Sequence, residues 1–350
     1  MNISNEALSF DDVILVPQYS DIKTRYSINT SVMLKHKKLS IPIISSPMST
    51  ITEAAMCNEI SKLGGLGILH RYNTIEEQTS MLKNIQAHLH LGRRAAAVGV
   101  TGDFKERLSA LVCTGLDIVA LDVAHGDHIL MKNAIEYIRK EYNDSLYIIA
   151  GNIATRSAYQ RISDYGADAV RTSIGSGSIC TTRIQTGHGM PTLQAIIDLN
   201  KERNCRLKED KFCSKIIADG GLKNSGDIVK AIAAGADLVI LGSMLSGTLE
   251  TPGEIFFDEK KGVNVKTYAG MASKISQQAW KGSYSSVEGV SSNVPFKGEV
   301  SKVVTEIMSN VRSGMSYSGA SSIKELQELA IFYRQTSNSH NEGMPHIYRK

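Results

Sequence analysis

Eight short apolar runs alternate with amphipathic segments through residue 243, and nothing else in the chain restricts its fold as strongly. The runs are IPIIS (41–45), LGILH (66–70), AAAVGV (95–100), LDIVALD (116–122), LYIIAGN (146–152), DAVRTS (168–173), KIIADG (215–220) and DLVILGS (237–243). They are apolar on both faces, as parallel strands buried under helices must be. Helical patterns fill the gaps at 52–62, 75–85, 103–112, 130–142, 155–165, 191–199 and 225–234. Capping residues and early glutamates, as in Thr74 followed by Glu76 and Glu77, mark their starts. Gly64-Gly65, Gly115, Gly166 and Gly235 fall where a left-handed helix cap costs glycine least. Gly-Ala-Asp occurs at 166–168 and again at 235–237, each time before a strand. Strict β–α alternation repeated eight times predicts an α/β fold, a single (β/α)8 TIM barrel spanning 1–350. On pattern alone a doubly wound open sheet is the alternative.

Composition excludes several classes. With 42% hydrophobic and 21% charged residues and seven prolines, the chain carries enough apolar surface for a large core. The formal net charge of +4 is dispersed and gives no reason to expect a nucleic-acid partner. No apolar run reaches the roughly 18 residues of a membrane span, and MNISNEALSFDD is no secretory signal. The five cysteines form no CxxC pair, which suits reduced thiols in a cytoplasm. Cys57 and Cys113 lie on apolar helix faces and Cys213 opens a strand, so all three read as small core residues. Cys205 falls in a charged connector, 201–214.

A barrel of this kind places its active site at the C-terminal strand ends. Those positions hold Ser45-Ser46-Pro47-Met48, His70-Arg71, Asp122, Gly151-Asn152, Ser173, Asp219-Gly220-Gly221 and Gly242-Ser243. The last two glycine turns suit a phosphate, because bare N–H groups approach its oxygens, although tight turns alone would also use glycine. The loop 175–190, GSGSICTTRIQTGHGM, carries Cys180 at its apex among small residues. An exposed thiol surrounded by donors favours thiolate, and Arg183 and His188 are near enough in sequence to assist. From 269 to 293 no periodicity is evident, so this segment reads as a lid or an irregular loop. Helical patterns at 300–312 and 323–333 follow, then a tail at 334–350.

These residues resemble a known family. LSFDDVILVPQYS (8–20), SSPMSTITEAAM (45–56), GGLGILHRYNTIEEQ (64–78), GSGSICTTR (175–183), IIADGG (216–221), YAGMAS (268–273) and VPFKG (294–298) run in the order of the inosine monophosphate dehydrogenase and guanosine monophosphate reductase family. The resemblance implies a covalent bond between Cys180 and C2 of a purine 5′-monophosphate, GMP or IMP. It implies phosphate contacts from Ser178, Gly221, Gly242, Ser243 and Tyr268, and ribose contacts from Asp219. Gly270, Met271 and Gly289 would meet the base, and Asp122 and Asn152 the nicotinamide. Carbonyls of Gly175, Gly177 and Cys180 would hold a monovalent cation, K+. The resemblance further implies a homotetramer. It also implies that the short link between the second and third strands leaves no room for the inserted regulatory (CBS) domains of many dehydrogenases.

The two activities part at one step. The dehydrogenase hydrolyses its adduct with a flap Arg-Tyr pair, whereas the reductase expels ammonia and needs a proton donor. In the resemblance that donor is Thr182 with the flap residue Glu288. Here the flap is short, and no arginine occurs between Leu207 and Val311. LDVAHG (121–126) and CTTRIQTGHG (180–189) also read like the reductase, while SSPMSTITEAAM and LGILH look like the dehydrogenase. Ser49 stands where the family commonly has Asp, and Ser285-Ser286 replace an expected Arg-Ser contact. The expectation is an NADPH-dependent GMP reductase. An IMP dehydrogenase without CBS domains, using NAD+, is the alternative, and a non-catalytic nucleotide-binding barrel stands behind both.

Overall fold

A computed structural model describes residues 6–35, 37–86 and 93–345. The eight expected strands are present: Ile43–Ser45 (β1), Leu66–Leu69 (β2), Ala95–Val98 (β3), Ile118–Asp122 (β4), Tyr147–Ile153 (β5), Ala169–Thr172 (β6), Lys215–Asp219 (β7) and Leu238–Leu241 (β8). Each pairs in parallel with its neighbours, and β8 closes on β1 with Val239 opposite Ile43. The sheet is a closed barrel, so the open-sheet alternative is ruled out. The strands are buried along nearly their whole length, as the two-sided apolar runs required.

Close packing of helix on strand explains one glycine. Gly67 in β2 faces Cys57 on the helix Ala54–Lys62, and a Cβ there would lie 2.5 Å from the Cys57 Cα. Backbone cannot yield as a side-chain tip can. Gly67→Ala is therefore expected to cost about 3 kcal/mol of stability, measured by denaturant unfolding.

Several local expectations are corrected. The helix at 191–199 continues as Thr192–Lys208 through the supposed charged connector. Its charged residues grip the barrel: Arg203 pairs with Asp237 at 2.7 Å, and Arg206, 3% exposed, pairs with Asp164 at 2.6 Å. Arginine stems cover apolar surface there, which erases the apolar periodicity a sequence reading follows. The pattern at 323–333 splits into a helix, Ile323–Leu329, and a strand, Phe332–Arg334, antiparallel to Val13–Leu15. Cys113, the last residue of Phe104–Cys113, is exposed rather than core, and Cys213 is only half-buried, whereas Cys57 is buried. Of the tail at 334–350, Ser337–Glu342 is helical and 346–350 lie outside the described residues.

The segment after β8 caps the C-terminal mouth. Val263–Ala269 pairs antiparallel with Phe256–Asp258 and with Ser291–Pro295. Between them the supposed aperiodic segment holds a helix, Lys274–Lys281, capped by the Ser273 hydroxyl and ended by Gly282 at φ 68°. Lys266, fully buried, donates to the carbonyls of Thr248, Leu249 and Thr251 and so fixes this sheet to the turn after β8. Among the described residues no helix is long and apolar enough to cross a membrane.

Candidate active site

The loop after β6 enters the mouth through a strained turn. Ser173 has φ 107° and Gly175 φ 73°, in the region that favours glycine. The Cys180 N–H donates to the Gly177 carbonyl at 3.1 Å, closing the apex. The flap then stitches onto this loop through backbone bonds. Thr181 N–H donates to Glu288 O at 2.8 Å, and Val290 N–H to Ile179 O at 2.9 Å. Two distant segments thereby become one rigid unit.

That unit aligns three side chains. The Cys180 thiol donates to Thr182 Oγ1 at 3.2 Å, and the Thr182 hydroxyl donates to Glu288 Oε2 at 2.7 Å. Sulfur, hydroxyl and carboxylate form a continuous hydrogen-bonded chain, all three lining a cavity of about 340 Å³. Arg183 and His188 do not join it. Arg183 donates to Ser176 Oγ at 2.7 Å, and His188 Nδ1 lies 2.8 Å from the Thr186 carbonyl. The guess that they assist the thiol finds no contact to support it.

Of the other candidates, Asp122, Asn152, Gly175, Gly177, Asp219, Tyr268, Gly270, Met271 and Gly289 share that cavity. Ser178, Gly221, Gly242 and Ser243 do not line it, and Ser178 and Gly242 approach a residue that does, Tyr268. Ser178 Oγ lies 3.4 Å from the Tyr268 hydroxyl, and a Cβ on Gly242 would lie 3.2 Å from the same oxygen. Burial pushes the Tyr268 phenol up, against the opposing bond from Ser178, so it stays a neutral donor. Gly220 at φ 89° and Gly221 at φ 76° turn the backbone here, and Lys297 donates to the Ser243 and Met244 carbonyls at 3.1 Å. Ser49, where an Asp was missing, offers its backbone N–H to the Met271 sulfur at 3.3 Å.

The sequence reading missed the floor of the site. Arg171, in β6, donates through Nη1 to Asp122 Oδ1 at 2.8 Å, and through Nε and Nη2 to Asp219 Oδ2 at 2.9 and 2.8 Å. Arg71 donates to the other Asp122 oxygen at 3.0 Å. Burial pushes the Asp122 carboxyl up, but the flanking guanidiniums of Arg171 and Arg71 outweigh it and hold it below the usual range. An arginine inside the strand run DAVRTS, at a position expected to be buried, was the available signal. Beyond Arg71, Tyr72 stacks on Trp280 of the flap helix with centroids 4.1 Å apart.

Comparison with known proteins agrees with this architecture. The family model described as "IMP dehydrogenase / GMP reductase domain" matches residues 7–346. The chain belongs to the IMP dehydrogenase/GMP reductase family. An inosine-5′-monophosphate dehydrogenase of Borreliella burgdorferi is 34% identical, with 98% of each chain covered. One from Cryptosporidium parvum is 33% identical, over 97% of this chain and 95% of its own. Among solved structures, a GMP reductase variant from Trypanosoma brucei in complex with guanosine 5′-monophosphate superimposes with a TM-score of 0.89, at 29% identity and 98% coverage of each chain. The IMP dehydrogenase/GMP reductase family comprises oxidoreductases of purine metabolism that use a nicotinamide cofactor. In this member the link from β2 to β3 is too short for an inserted regulatory domain.

Proposed function

We propose that the protein is an NADPH-dependent GMP reductase, converting GMP to IMP and ammonia. The observation that carries the reading is the unbroken path from Cys180 through Thr182 to Glu288. The Cys180 thiolate would add to C2 of the guanine ring. The amine on C2 is a poor leaving group until protonated, and Glu288 as general acid would deliver a proton through the Thr182 hydroxyl. Ammonia then departs and leaves the purine bound to sulfur. NADPH, when bound, supplies a hydride to C2. Expulsion of the Cys180 thiolate releases IMP, so each GMP consumes one hydride and one proton per ammonia formed, with a second proton taken up where it leaves as ammonium.

Binding roles follow from the same cavity. Tyr268, Ser178 and the glycine turns Gly221 and Gly242-Ser243 would hold the phosphate, and Asp219 the ribose. Gly270, Met271 and Gly289 would line the base, and Asp122 and Asn152 the nicotinamide. Gly175, Gly177 and Cys180 would offer backbone carbonyls to K+, an all-oxygen set suited to a hard cation. A lysine cannot reproduce the fixed fork of a guanidinium, and the flap segment contains lysines but no arginine. That absence weighs against hydrolysis of the adduct.

The relatives named as dehydrogenases favour one competing activity, oxidation of IMP to XMP with NAD+. One assay separates the two. GMP with NADPH should consume reduced nicotinamide and yield IMP and ammonia. IMP with NAD+ should yield no XMP; its appearance would reverse the assignment.

A further inference from the structure

Resting on that reading, the ion chain on the cavity floor deepens it. Asp219 Oδ2 accepts three bonds, two from Arg171 and one from Asn152 Nδ2 at 2.9 Å. Its Oδ1 has no partner among the described residues. An ionised carboxylate held by one oxygen presents the other to the cavity as a fixed acceptor, the geometry a ribose hydroxyl requires. Arg171 makes the same commitment at its other end, to Asp122, whose second oxygen is taken by Arg71. The Arg71 guanidinium in turn lies 5.3 Å from the Tyr72 ring centroid and 5.7 Å from that of Trp280. Charges alternate along this line, and each side chain is fixed by the next.

We propose that Arg171 is a positioning residue that sets Asp219 for the substrate ribose and couples its engagement, through Asp122 and Arg71, to the seat of the flap at Trp280. The mechanical basis is the fork of Arg171. Three of its N–H groups divide between two carboxylates, so a shift of Asp219 toward a ribose hydroxyl shifts Asp122 as well. Buried pairs transmit such shifts because neither partner has water as a substitute.

Trp280 is the single tryptophan of the chain, so its emission reports the flap seat directly. In full-length protein GMP is expected to change that emission. The 2′,3′-dideoxy analogue, which keeps base and phosphate, is expected to bind without the change. Arg171→Lys retains the charge but not the fork. It should bind GMP about tenfold or more weakly, and leave Trp280 emission unmoved at saturation. Should that variant fail to fold by circular dichroism, Arg71→Gln cuts the chain at its outer end and should abolish the emission response to saturating GMP. A wild-type response in either folded variant, a silent wild type, or equal responses to GMP and the dideoxy analogue would overturn the coupling. Parallel titrations with IMP keep the two readings apart. A protein that oxidises IMP but ignores GMP loses the reductase reading, yet retains the coupling if IMP moves Trp280 only with Arg171 present.

Discussion

Replacing Cys180 with alanine is expected to lower turnover by about 10⁴-fold or more while nucleotide binding persists. Among the described residues lining the cavity the thiol is the strongest nucleophile, and binding of the nucleotide is expected to rest on other groups. Asp219 is held from the floor by Arg171 and Asn152, and Tyr268 comes from the sheet above, so removing one sulfur leaves both in place. Steady-state rates with GMP and NADPH, beside calorimetric titration with GMP, check both halves. Turnover within tenfold of wild type would eliminate the covalent route. Loss of binding with retained fold would place Cys180 in recognition instead.

Glu288→Gln is expected to cost about 10²- to 10⁴-fold in the same assay, the range of a lost general acid. The amide is nearly the same shape and still accepts from the Thr182 hydroxyl, so the 2.7 Å contact survives while the transferable proton does not. The loss should fall on ammonia departure. Deuterated NADPH exposes this, because a step before hydride transfer that has become limiting hides the isotope effect. A kcat isotope effect that shrinks toward unity in the variant supports the assignment. An effect as large as in wild type, on a slowed enzyme, would move Glu288 to the hydride step.

The barrel was legible because its strands are buried on both faces and its helices carry their own start and stop signals. Both are local properties, and β4 and β5 could be placed from composition within a few residues. Pairings that depend on distant partners were not legible. Phe332–Arg334 becomes a strand only because Val13–Leu15 lies beside it, and in isolation it continues a helical pattern. Thr192–Lys208 hid its last two turns because arginine stems substituted for apolar side chains. At the site, the glycine turns and Cys180 announced themselves by residue type. Arg171 did not, since a lone charge in a buried strand acquires meaning only with Asp122 and Asp219, which lie 49 and 48 positions away, beside it. The roles attached to these positions came from family resemblance, and the proposed mutations test them.

The backbone stitching between the Cys180 loop and the base of the flap has an engineering consequence. Glu288 is anchored by Thr181 and Ala272, whereas Trp280 meets the barrel through ring contacts with Tyr72 and Arg71. The two ends are nonetheless tied, because Gln277 of the helix donates to the same Ala272 carbonyl that accepts from the Glu288 N–H. A chimera that exchanges the helix Lys274–Lys281 would therefore have to retain Gln277 if Glu288 is to keep its seat beside Thr182.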